Sequence, residues 1–373
     1  MKLKSISLGR VLGIPIALDF SWFLIFFLLT WTLAANVFPA EFPGWPVAQY
    51  WVVGAITAIL LFASVLLHEL GHSVVAIHYK IPVKRITLFI FGGVAQIGSE
   101  PPSANAEFWI AIAGPLVSFG LAAAFRLLQQ VVGGLAPLLA LATYLAYINA
   151  TLALFNLIPG FPLDGGRVLR AILWGAGKDL SQATVIAANA GRLIAFLFMG
   201  FGLWQALVGN LANGLWIAFI GWFLHGAATS QLRQQALHDR LSGHPVAEIM
   251  RRSLPVVSAG TTLQYLVEHR GTENSPHGAY LVAEGERPVG FLTVASITAV
   301  PRERWPVTTT AQAMTSLTGE QAVAPSTDLW SAVQRMEQEE VGQLPVMQQE
   351  RYVGMLTRDD IVSFLRAQQA FRV

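Results

Sequence analysis

Six apolar stretches constrain this chain more than any other feature, because crossing the roughly 30 Å hydrocarbon core of a bilayer takes about 20 apolar residues. They lie at residues 18–38, 51–78, 107–128, 136–158, 185–208 and 213–230. Residues 1–230 carry only 18 charged side chains, whereas the shorter remainder carries 28. An ordinary soluble protein is therefore excluded. The sequence predicts an α-helical polytopic membrane protein with about six transmembrane helices, followed by a soluble part.

Basic residues mark alternate ends of these stretches and so predict the orientation in the membrane. Arginine and lysine precede the first stretch (Lys2, Lys4, Arg10) and follow the second, fourth and sixth. The loops near 39–50, 129–135 and 209–212 contain neither. We expect a multi-pass protein of the cell (inner) membrane with both termini in the cytoplasm and the first stretch kept as an anchor. A net charge of +2 argues against a nucleic-acid partner.

The second stretch contains His68-Glu69-Leu70-Gly71-His72. Histidines four residues apart lie on one face of a helix and can bind one metal ion, while Glu69 addresses water at that ion. The alternative is a pair of polar residues that hydrogen-bond between helices. Three ionisable groups inside an apolar helix are costly unless a site uses them, so the pattern favours a zinc centre with one ion per chain.

A hydrolytic zinc site takes a third protein ligand, and Asp164 is the candidate. It lies in a Pro- and Gly-rich break at the end of the fourth stretch, which reads Asn156-Leu157-Ile158-Pro159-Gly160-Phe161-Pro162-Leu163-Asp164-Gly165-Gly166. Irregular backbone at membrane depth is tolerated where it is buried in protein or lines a wet cavity. The alternative role for Asp164 is to cap the helix that follows.

Together, His68-Glu69-x-x-His72 and Asn156-x-x-Pro159-x-x-Pro162-x-Asp164-Gly165 resemble the two signatures of the site-2 proteases, the intramembrane zinc metalloproteases of peptidase family M50. The resemblance covers about residues 1–230. It implies a zinc metalloendopeptidase with His68, His72 and Asp164 as metal ligands and Glu69 as the catalytic acid/base. It also implies that Asn156 holds the substrate or stabilises the oxyanion, although Asn156 is equally suited to capping a broken helix.

The resemblance further implies cleavage in or beside a transmembrane segment of a single-span membrane protein. An anti-sigma factor or a membrane-held transcription regulator is the expected type of substrate. Residues 83–97 are β-rich with a Gly92-Gly93 break and predict a hairpin. Its edge either pairs with unwound substrate or belongs to a simple connection.

The charged remainder contains an internal duplication at an offset of 64 residues. Residues 246–250 align with 310–314, and Gly290-Phe291-Leu292-Thr293 aligns with Gly354-Met355-Leu356-Thr357. Order and length resemble a tandem pair of CBS domains, which implies a C-terminal soluble α/β domain. The expected division is a membrane protease domain at 1–230, a linker at 231–242, and CBS domains at 243–305 and 306–373.

The resemblance to CBS domains implies an adenine nucleotide (AMP, ADP or ATP) held by Thr357 and Asp360, with Thr293 at the equivalent position of the first repeat. Ser296 replaces the acid there. The alternative is that the tail only forms a homodimer or docks on the membrane part. For the whole chain, the alternative to a protease is a catalytically inactive scaffold or a metal transporter with a nucleotide-sensing tail. All four protease residues are present, which favours the enzyme.

Overall fold

The structure is a computed structural model that describes residues 5–270, 279–285, 287–317, 322–339, 341–349 and 351–370. Lys2 and Lys4, which contribute to the predicted orientation, lie outside the described residues. The chain forms two compact units, Met1–Gln235 and Ala236–Val373.

Long helices build the first unit. In chain order they are α1 (Ser21–Thr32), which continues through a π-helical turn (Leu33–Val37) into α2 (Phe38–Glu41), then α3 (Val47–His78), α4 (Ala104–Val131), α5 (Ala136–Asn156), the short α6 (Asp164–Gly175), α7 (Leu180–Leu207) and α8 (Leu211–Leu241). Six helical segments in the described part of the chain are long and apolar enough to span a membrane, which confirms the predicted number. Many of their large apolar side chains face outward, as lipid contact requires.

Small residues allow α7 and α8 to approach each other closely. A Cβ atom at Gly202 would lie 2.6 Å from the carbonyl oxygen of Gly214, and one at Gly214 would lie 2.5 Å from that of Gly202. Without a hydrophobic driving force between helices in lipid, such close backbone packing is a main source of association.

A four-stranded sheet accompanies the helices. Its strands are β1 (Ser5–Val11), β2 (Ile14–Asp19), β3 (Val83–Phe89) and β4 (Gly92–Ile97), in the order β1-β2-β3-β4. The predicted hairpin at 83–97 is present as β3 and β4, which pair antiparallel. The first two strands were not predicted. Because β2 extends to Asp19, α1 begins at Ser21 rather than at residue 18, and the Asp19 carboxylate accepts hydrogen bonds from the amide and hydroxyl of Ser21.

The second unit alternates short strands and helices. They are β5 (Val256–Ser258), α9 (Leu263–Arg270), β6 (Ala279–Glu284), β7 (Arg287–Thr293), α10 (Val294–Thr298), α11 (Thr310–Ala313), β8 (Thr315–Ser316), α12 (Leu329–Gln338), β9 (Gln343–Gln348), β10 (Arg351–Thr357) and α13 (Arg358–Ala370). Residues 231–241, predicted as linker, are part of α8.

The two repeats of this unit exchange their leading segments. Thr315 pairs with Phe291 of β7, and Arg251 bridges to Met355 of β10, which are the same pairing shifted by 64 residues. Val246 accordingly packs in the core of the second repeat, and Met314 packs against that of the first. Residues 309–316, which the predicted division assigns to the second CBS domain, pair with and pack on the first repeat.

Candidate metal centre

Two histidines of α3 face the neighbouring helix α4. Because His68 and His72 are four residues apart, their rings lie on one face of α3, and each residue is only 4% exposed. Their Nε2 atoms are 3.2 Å apart.

Helix α4 fixes the orientation of both rings. The Nδ1 atom of His72 donates to the carbonyl oxygen of Ile110 over 2.6 Å, and that of His68 lies 2.9 Å from the hydroxyl of Ser118. A carbonyl oxygen only accepts, so a neutral His72 carries its proton on Nδ1 and leaves a lone pair on Nε2. Such outer partners are the usual way in which metal-binding histidines are held.

The third potential ligand, the carboxylate of Asp164, reaches this face from the chain break after α5. Asp164 is the first residue of α6, and its side chain is directed to the histidines rather than capping the helix; Leu163 occupies the cap position without a side-chain hydrogen bond. Two glycines make the tight return possible. A Cβ at Gly165 would lie 2.3 Å from the carbonyl oxygen of Leu157, and one at Gly166 would meet backbone atoms at the same distance.

Three potential metal-ligand atoms converge at this point. Asp164 Oδ2 lies 3.1 Å from His68 Nε2 and 3.2 Å from His72 Nε2. Ligand atoms about 2.0–2.1 Å from a tetrahedral zinc ion are separated by about 3.3 Å, so the observed triangle has the size that zinc requires. Among the described residues these are also the one group of three potential ligands within metal-binding reach.

Glu69 lies beside this triangle and does not join it. It lines a cavity of about 680 Å³ together with the three ligand residues and Asn156, the last residue of α5. Most of the cavity wall is apolar, from α1, α3, α5, α8 and the β3–β4 hairpin. Strand β4 passes directly over Glu69, because a Cβ at Gly93 would lie 2.5 Å from Glu69 Cγ.

Sequence reasoning missed the contributions of α4. A Cβ at Gly114 would lie 2.2 Å from His72 Nε2 and 2.7 Å from His68 Nε2, so only glycine leaves room for the rings. The available signal was Gly114-Pro115 within an otherwise uninterrupted apolar helix, but nothing local assigns that pair to the metal centre.

A buried ion pair anchors α6 on α4. Glu107, which is fully buried, accepts from Arg170 Nε over 2.7 Å and from its terminal nitrogen, and Arg170 also contacts Thr184 of α7. Arg167 Nε lies farther from the same carboxylate oxygen, at 3.9 Å. Because a buried charge needs a paired partner, this network fixes the helix that carries Asp164.

The predicted nucleotide residues have local partners. Thr293 accepts from the Ser296 amide at the start of α10. Thr357 and Asp360 form a capping box at the start of α13, in which each side chain accepts from the other's amide. The other Asp360 carboxylate oxygen accepts from Arg251 Nε. No hydrogen bond among the residues that the structure describes joins Thr293 to Thr357 or Asp360.

Known proteins share these features. The sequence model of peptidase family M50 matches residues 56–139 and 134–200, and that of the CBS domain matches residues 318–367. The chain is 34% identical over 336 residues to Rip3 of Mycobacterium tuberculosis, covering 89% of this chain and 85% of that protein. It is 31% identical over 301 residues to a zinc metalloprotease of Methanocaldococcus jannaschii, covering 79% of each.

Among solved structures, the site-2 protease of Methanocaldococcus jannaschii is similar, with 33% identity, a TM-score of 0.41 and coverage of 61% of this chain and 95% of that one. The identity and coverage of the sequence relatives show the family on their own. The chain therefore belongs to peptidase family M50, the zinc metalloproteases of the site-2 protease family, and carries a C-terminal CBS domain.

Proposed function

We propose that this chain hydrolyses peptide bonds within or beside transmembrane segments of other membrane proteins, as a step of regulated intramembrane proteolysis. One observation carries the proposal: the three potential zinc ligands and the carboxylate of Glu69 line the same mostly apolar cavity, which lies between helices of membrane-spanning length. A mostly apolar cavity wall suits a hydrophobic peptide, and a few polar groups are enough to act on the single peptide bond that is cut.

The residues divide the chemistry between them. His68, His72 and Asp164 would hold the zinc ion, which would supply a Lewis acid able to polarise the scissile carbonyl and to make water more acidic. Glu69 takes a proton from the attacking water and passes it to the leaving amine nitrogen, first as general base and then as general acid. The amide of Asn156, which also lines the cavity, holds the substrate.

Strand β4 offers a means of presenting the substrate. It lies at the edge of its sheet, with β3 as its one partner in the described strands, and it borders Glu69. A helical peptide bond is hidden from attack, whereas a segment unwound onto this edge exposes its backbone.

The expected substrate is a single-span membrane protein, such as an anti-sigma factor or a membrane-held transcription regulator. We place the enzyme in the cell membrane with both termini in the cytoplasm, because every second loop along the chain is basic and these basic segments therefore lie on one side of the membrane. The CBS tail regulates the protease through an adenine nucleotide or by forming a homodimer.

Substitution of Glu69 tests the proposal. Purified full-length chain is incubated with a single-span substrate in lipid vesicles, and Glu69→Gln is compared with wild type. General acid–base catalysis contributes about 10²- to 10⁴-fold, so we expect cleavage to fall by that factor while zinc content is unchanged. The control is Glu100→Gln, the same change at an exposed carboxylate, which should cleave normally. Wild-type cleavage by Glu69→Gln would contradict the assignment.

A further inference from the structure

Arg167 is a polar residue of the cavity wall that neither metal binding nor proton transfer uses. It lies on α6 three residues after Asp164, and helix positions separated by three residues are neighbours on one face. Arg167 lines the same cavity as Glu69 and Asn156. A permanent positive charge thus faces the space in which a peptide would bind.

The carboxylate of Glu107 lies near Arg167 but accepts no hydrogen bond from it. Arg170 donates twice to Glu107, whereas Arg167 Nε is 3.9 Å from that carboxylate, beyond hydrogen-bond distance. Arg167 makes no hydrogen bond with any other described residue, although its guanidinium has five N–H donors. Its side chain keeps 21% of its surface exposed.

Donors left without partners in an apolar cavity are costly, and they are satisfied when an acceptor arrives. A bound peptide brings carbonyl oxygens, and the scissile carbonyl oxygen becomes negative when water attacks. A fixed cation aimed at developing charge in a site with little water is among the strongest catalytic devices known.

We propose that Arg167 binds the substrate backbone, donating hydrogen bonds to carbonyl oxygens of the peptide and stabilising the negative charge that develops at the scissile bond. Arg170 and Glu107 are positioning residues, because their ion pair holds α6 on α4. The inference rests on the proposed peptidase function.

The test compares Arg167→Met and Arg167→Lys with wild type in the full-length chain, using the cleavage assay above with substrate concentration varied. Methionine keeps much of the side-chain length without the charge. We expect kcat/KM of Arg167→Met to fall by about 10²- to 10³-fold, the effect of removing one oxyanion donor, with one zinc per chain retained. Lysine restores charge without the planar fork, so we expect a loss of about tenfold.

The matched control is Arg126→Met, an arginine of α4 that pairs with Gln129 and does not line this cavity; it should cleave at the wild-type rate. Cleavage by Arg167→Met within about threefold of wild type overturns the inference alone. Loss of zinc together with activity also overturns it, since Arg167 would then serve the metal ligands. If the methionine variant does not fold, wild-type kcat/KM in Arg167→Lys overturns it. A wild-type chain that cleaves no substrate overturns the proposed function as well.

Discussion

Two aspartates, the half-buried Asp164 in the membrane unit and the buried Asp360 in the tail, have different surroundings. Asp164 Oδ2 lies against the Nε2 atoms of two histidines, and the His72 ring uses its N–H on the carbonyl of Ile110. Asp360 accepts hydrogen bonds from a backbone amide, a hydroxyl and the guanidinium of Arg251. Asp164 thus meets two imidazole nitrogens, of which that of a neutral His72 is an acceptor, whereas Asp360 meets donors only.

The difference shows which observation indicates a ligand site. Burial alone does not, since both residues lie at the first turn of a helix and Asp360 is only 8% exposed. A carboxylate oxygen and two imidazole nitrogens within 3.2 Å of one another need a proton or a metal ion between them, because lone pairs that face one another repel. A carboxylate already saturated by donors is complete without a ligand, so Asp360 has a structural role in the described conformation.

Replacing the two aspartates one at a time should give the largest difference in cleavage rate. We expect Asp164→Ala to abolish cleavage, since removing even an outer partner of a metal ligand costs about 10- to 100-fold in metal affinity or activity and a ligand should cost more. Asp360→Ala should cleave at close to the wild-type rate in the absence of nucleotide. Initial cleavage rates and zinc content of the two purified variants measure both. Equal losses of cleavage in the two variants would remove the distinction.

The metal centre could be predicted from sequence as far as its residues are local. His68, Glu69 and His72 lie within one and a half helical turns, and Asp164 is conspicuous because charges are scarce in this part of the chain. The structure brings His68, His72 and Asp164 together. The predicted number of spanning helices is confirmed, because length and hydropathy are properties of single segments.

What escaped prediction depends on contacts between distant segments. Ile110 contributes a backbone carbonyl, which any residue could supply, and Ser118 is one hydroxyl among many. The need for glycine at position 114 arises only when α3 and α4 are packed together. No local pattern encodes these contacts.

In the tail, a local sequence pattern is present, but it fits two different structures. Thr357-x-x-Asp360 fits a nucleotide-binding pattern and equally fits a capping box, and the structure contains the capping box. Arg251, 109 residues away, takes the remaining carboxylate oxygen because the two repeats exchange their leading segments. Neither the exchange nor the pairing is visible from spacing along the chain.

Removing the hydrogen bond from Arg251 to Asp360 should give a smaller effect, on nucleotide affinity, and tests the structural role of Asp360. If the tail binds an adenine nucleotide as proposed, ribose hydroxyls compete with Arg251 for the carboxylate, so Arg251→Gln should lower the Kd for AMP. A hydrogen bond to a charged group contributes about 1.5–3 kcal/mol, and we expect at least about a tenfold change. Calorimetric titration with AMP, ADP and ATP measures it, with Arg252→Gln, at the exposed neighbouring residue, as the control. Weaker binding by Arg251→Gln would show that Arg251 assists the nucleotide.

Zinc-edge X-ray absorption of the purified wild-type chain tests the central claim most directly, because it reports the ligands themselves. We expect one zinc ion per chain, with two imidazole nitrogens and a carboxylate oxygen at about 2.0–2.1 Å, and the loss of this signal in Asp164→Ala. A chain that binds no zinc, or a zinc ion whose spectrum lacks imidazole scattering, would contradict the assignment of His68, His72 and Asp164.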